Sequence, residues 1–116
     1  MKISRLKQGD VNVCFLEGKL DFSQSFVLEK EMNALISEGV DKIIFDLGKL
    51  DYLSSSGIRV FISLIRHVKS RDGRIVFCNL TDPVSNLIEM VSLQDDLEIF
   101  PTLYDALLSF EPGKGN

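Results

Sequence analysis

The chain has 116 residues, the size of one ordinary domain, and 45% of them are hydrophobic, enough to bury a core. Its formal net charge is −4 and its isoelectric point is near 4.9; a general phosphate-backbone binder would be basic, so direct nucleic-acid binding is not expected. No apolar run reaches the length of about 18 residues that spans a membrane, and the charged opening "MKISRLKQGD" lacks the apolar centre of a signal peptide, so the expected location is cytoplasmic.

Two strand candidates open the chain, "MKISRLK" and "VNVCFLEG", with the turn-like "QGD" between them. Val11, Val13 and Phe15 alternate with Asn12, Cys14 and Leu16, a pattern that predicts a hairpin packed mainly on one face. Leu28, Met32, Leu35 and Ile36 then recur at helical spacing and predict a helix from about residue 25 to 38. Asp21, Ser23 and Ser25 are its candidate N-caps, and Gly39 stands where a left-handed residue would end it.

The short run Ile43–Ile44–Phe45 predicts a strand buried on both faces and ending at Asp46. A loop of about nine residues is expected next, long enough to be functional. "SGIRVFISLIRHVKSRDG" predicts a second helix starting near Ser56, with Ile58, Phe61, Ile62, Ile65 and Val68 as its apolar stripe. "RIVFCNL" predicts a second central strand, and "TDPVSNLIEMVSL" a third helix capped by Thr81 or Asp82. "LEIF" predicts a last short strand. "TLYDALLSF" predicts a last helix, with Thr102 and Asp105 at capping-box spacing.

The order ββαβαβαβα predicts one α/β domain over residues 1–110, with a mixed, mostly parallel sheet of four or five strands, an initial hairpin and about four helices. Residues 111–116 are expected to be a frayed tail. Met32 and Met90 sit near core spacing and are expected to pack inside. Cys14 and Cys78 lie in apolar runs and read as buried small hydrophobes rather than a disulfide or metal pair. With His67 they supply too few ligands for zinc, and no cofactor-binding motif is present.

The stretch "KLDYLSSSGIRVFI" places three hydroxyls at the start of the second helix. Serine is a preferred N-cap, and one of Ser54, Ser55 or Ser56 is expected to fill that role. One cap is enough, so three exceed what capping requires. The free backbone amides of a helix start also favour an anion there. Gly57 lets something approach the backbone closely.

The run from "IIFDLGKLDYLSSSGI" through "TLYDAL" resembles the STAS domain of anti-sigma factor antagonists, and "GKLDFSQS" looks like that family's entry to its first helix. The resemblance extends from about residue 2 to 110. In such antagonists the second helix starts Asp-Ser-[Ser/Thr]-Gly, and the first of those serines is phosphorylated by the cognate anti-sigma factor, a kinase. Laid onto this chain, Gly57 matches the glycine, Ser56 the second hydroxyl and Ser55 the phosphoacceptor; Ser54 replaces the usual aspartate. The order of candidates is therefore Ser55, then Ser56, then Ser54. Asp21 and Asp46 match acidic positions near the family's binding and phosphorylation surface, and Ser54, Ser56 and Gly57 are expected around it; Arg59, one turn from the serines, is read from that position as a partner or nucleotide-phosphate contact.

What the resemblance implies is a binding protein. Unmodified, it would dock on an anti-sigma factor with serine kinase activity and release the sigma factor; a Ser/Thr phosphatase would reset it. The alternative is a constitutive STAS scaffold in a transporter or sensory complex. A serine hydrolase is not expected: "LSSSGI" lacks Gly-x-Ser-x-Gly, and His67 would lie roughly 15 Å or more along the helix from the serines. His67 is read as a surface helix residue.

Overall fold

The computed structural model describes residues 1–92 and 95–112. The strands β1 (Lys2–Gln8) and β2 (Val11–Leu20) form an antiparallel hairpin closed at Gly9–Asp10, with Gly9 in the left-handed region at φ 62°. Three strand–helix units follow: α1 (Phe22–Ser37) with β3 (Lys42–Leu53), α2 (Ser55–Lys69) with β4 (Arg74–Cys78), and α3 (Asp82–Met90) with β5 (Ile99–Phe100). Helix α4 (Leu103–Leu108) closes the described fold. The five strands lie in chain order across one sheet, antiparallel between β1 and β2 and parallel thereafter. This is the expected mixed α/β domain. Most of the tail expected at 111–116 lies outside the described residues.

Helices α1, α2 and α3 share the larger core on one face of the sheet. At its centre the rings of Phe45, Phe61 and Phe77 pack with centroids 4.9–5.6 Å apart. Helix α4 packs on the other face through Ala106, over Val11, Val13, Ile44, Val76 and Cys78. Arg74 ties that end together: its guanidinium bonds Glu98 and the Ser109 carbonyl and lies 4.7 Å from the centroid of the Phe110 ring.

Four expectations change. Strand β2 is buried on both faces rather than mainly one, because β1 and β3 flank it and helices cover both sides. Helix α1 begins at Phe22, three residues earlier than the apolar spacing places it, because Asp21 is the cap. Met90 is 78% exposed at the last residue of α3, where the helix has already left the core; Met32 is fully buried. His67 is half-buried, its Nδ1 2.7 Å from Asn33 Oδ1, which pins α2 to α1.

The largest difference is at β3. No loop follows Asp46; the strand continues through Leu53 and passes directly into α2. Against β2 it gains two residues: Phe15 to Glu17 advances two positions where Asp46 to Lys49 advances three, and Gly18 to Lys19 advances one where Leu50 to Tyr52 advances two. These are β-bulges, in which an extra residue breaks the alternation of faces. Leu47, Leu50 and Leu53 are therefore all buried at a spacing of three, which disguises a strand as a loop.

Candidate functional site at two adjacent helix starts

The ends of β2 and β3 are paired, Leu20 against Leu53. Each strand turns at once into a helix, so the starts of α1 and α2 lie side by side. The Ser54 amide donates to the Leu20 carbonyl at 2.9 Å and joins the two turns.

At α1 the cap is Asp21. Its Oδ1 accepts from the Gln24 amide at 2.9 Å and from the Ser23 hydroxyl at 3.0 Å. The Gln24 bond, then the Ser23 bond, holds its carboxyl below the ordinary carboxylate value, since both favour the charged form. At α2 the cap is Ser54, whose Oγ accepts from the Gly57 amide at 3.1 Å. That bond decides which of the three serines is the cap: Ser54. Ser55 is the first helical residue, exposed, with no side-chain hydrogen bond among the described residues. Ser56 is half-buried toward α1.

Gly57 does not face outward. It is buried, and a Cβ there would come 2.7 Å from Leu53 Cδ1 and 2.9 Å from Leu20. The close approach expected at this glycine is the chain's own, by the last leucines of β2 and β3. Arg59, one turn beyond Ser55, is exposed.

Asp46 stands apart. It is eight residues from Ser54 along β3, roughly 20–25 Å at about 3.3 Å per residue with the bulges allowed for. It is 9% exposed, accepts from the Gly48 amide at 2.9 Å and from Asn79 Nδ2 at 3.0 Å, and lies beside Cys78. Burial first, then the Asp46 charge, pushes the Cys78 thiol up to about 12. The structure thus gathers Asp21, Ser54, Ser55, Ser56 and Arg59 on one surface and leaves Asp46 on another.

Two residues at this surface escape the sequence reading. Phe22 and Phe26 stand one turn apart on α1, 65% and 60% exposed, their rings edge-to-face at 5.1 Å. Their signal is the pair Asp21 and Gln24, at capping-box spacing, which starts the helix at Phe22 and makes the two aromatics an i, i+4 pair. His67, three turns along α2 and engaged with Asn33, is out of reach of all three serines. Among the described residues no helix is long and apolar enough to cross a membrane, and no His, Cys, Asp or Glu cluster has the makings of a metal site.

Comparison with known proteins places this surface in context. A family model described as the STAS domain matches residues 2–106. BtrV of Bordetella bronchiseptica, provisionally named an anti-sigma factor antagonist, is 31% identical over 101 residues, covering 87% of this chain and 84% of BtrV. The fold superposes on the anti-sigma factor antagonist SpoIIAA in its unphosphorylated form with TM-score 0.79 at 19% identity, covering 91% and 93% of the two chains. A structure of the phosphorylated form of SpoIIAA from Bacillus gives 0.71 at the same identity, covering 91% and 96%. The fold also matches part of the murine anion transporter Slc26a9, with TM-score 0.73 at 19% identity, over 89% of this chain but 18% of that one.

Proposed function

The chain belongs to the STAS domain family of anti-sigma factor antagonists, and from that premise we propose that it binds an anti-sigma factor with serine kinase activity, releases the sigma factor, and is switched off by phosphate on Ser55. The observation that carries the reading is the division of labour between adjacent serines. Ser54 is occupied as the cap, while Ser55 projects into solvent at the helix start. Serine in place of the family's usual aspartate keeps the capping oxygen and drops the charge, so Ser55 remains the acceptor.

Phosphorylation adds about 1.5–2 negative charges. The first turn of α2 holds no acidic residue, and a helix start favours an anion. The fold therefore tolerates the group. The cost falls on the docked state, where the new charge loses water or meets the partner's own acids. A coupling of about 1–3 kcal/mol changes affinity roughly five- to 150-fold, enough for a switch. A Ser/Thr phosphatase would restore the binding form.

Intact-mass measurement after incubation with ATP and the anti-sigma kinases of the host tests this. One added phosphate, mapped to Ser55 and absent in Ser55→Ala, is expected, with weaker binding of the modified chain. Phosphate on Ser56 or Ser54 would move the acceptor and keep the function. No phosphate with any kinase, together with binding to a transporter subunit, would favour the constitutive scaffold instead, the reading that rests on the fold shared with Slc26a9.

A further inference from the structure

A shallow groove runs between α1 and α2 beside the candidate phosphoacceptor. Phe22 and Phe26 form its lip on α1, Ser56, Arg59 and Val60 its wall on α2, and Glu29 its far end. Large aromatics left this exposed do not contribute to the core, and clustered they mark a contact surface. The groove holds one cation, Arg59, with the Glu29 carboxylate at its far end. Arg59 is exposed and takes part in neither ion pair found among the described residues, Lys42–Asp10 and Arg74–Glu98. An exposed guanidinium outside those ion pairs, set beside aromatic rings, is a ready partner for a carboxylate.

We infer that this groove is where the partner is anchored: the anti-sigma factor inserts an apolar side chain between Phe26 and Val60 and presents an adjacent carboxylate to Arg59. The inference rests on the proposed function and adds its recognition chemistry. Aromatic and arginine residues at the centre of a contact carry most of its energy. Ser55 lies four residues before Arg59, one turn away on the same flank of α2. A phosphate on Ser55 then competes with the partner's carboxylate for the guanidinium, so modification removes a contact as well as adding a repulsion.

The test is calorimetric titration of the host anti-sigma factor into the unmodified chain and its variants. Phe26→Ser and Arg59→Gln, each checked for an unchanged melting temperature, are expected to weaken binding by about 30-fold, the size of a central contact. Tyr104→Ser, an exposed aromatic on α4, is the control and is expected to change nothing. Phosphoserine placed genetically at position 55 is expected to weaken the parent chain more than it weakens Arg59→Gln. If the parent binds and Phe26→Ser and Arg59→Gln bind equally well, the groove assignment is wrong and the proposed function stands. If those two variants weaken binding but the phosphate penalty is the same with and without Arg59, the competition is overturned. If the parent binds no anti-sigma factor, both readings fall. Self-association of the free chain lost in Phe26→Ser would assign the groove to a second copy and overturn the inference.

Discussion

Ser54 and Ser55 are neighbours in different settings, one bonded as the cap and one open to solvent, and single substitutions separate them. Ser54→Ala removes the cap of α2 and is expected to cost about 1 kcal/mol in urea unfolding. Ser55→Ala touches no hydrogen bond among the described residues and is expected to stay within about 0.5 kcal/mol while abolishing modification. If Ser55→Ala were the more costly of the two, the cap would be misassigned. Gly57→Ala carries a further expectation. The added methyl meets Leu53 and Leu20, both buried, and neither has room to retreat. A loss of about 1–3 kcal/mol is expected from overpacking, in place of the gain that alanine gives in an open helix. The cap of α2 is thus half legible in sequence: capping chemistry limits the choice to three serines, and only the Ser54–Gly57 bond decides among them.

At the scale of elements, β3 is where sequence and structure part. Its first half reads plainly, because Ile43, Ile44 and Phe45 are continuously apolar. Its second half does not, because two bulges put Leu47, Leu50 and Leu53 on the core side at a spacing that fits no flat strand. Periodicity arguments presume a constant period, and a bulge changes it; the mark it leaves here is glycine, Gly48 opposite the first shift and Gly18, at φ 101°, beside the second. The start of helix α1 differs from its apolar spacing for a related reason: Phe22 and Phe26 face outward, so the apolar stripe begins later than the helix. The extended β3 has a direct check. Leu50→Ala is expected to cost about 2–5 kcal/mol, as truncation of a core leucine does, whereas Lys49→Ala, exposed next to it, is expected to stay within about 0.5 kcal/mol. A surface loop at 47–53 would give small losses at both.

For the molecule as a whole, the alternation of strands and helices was enough to place the sheet, the hairpin and the four helices, because each apolar stripe had only one kind of surface to pack against. What alternation left open was which face each helix covers, and that decides the chemistry of the buried thiols. Burial pushes both Cys14 and Cys78 from the ordinary 9.0 up to about 12. The folded state therefore holds the neutral thiols, and the unfolded state ionises first. The stability that this supports is complete below pH 9 and is lost as pH rises toward about 12. The urea midpoint is expected to fall over that range, and to fall less steeply in the Cys14→Ala, Cys78→Ala double variant; equal slopes would mean that the thiols are open to water.

The sheet has two free margins, and both are poor templates. β5 is two residues long, and β1 shows solvent Lys2, Arg5 and Lys7 along a strand that is almost wholly exposed. Two copies meeting edge to edge would bring like charges together before any backbone bond could form. The guarded edges bear on concentration: the chain can accumulate without one sheet templating the next.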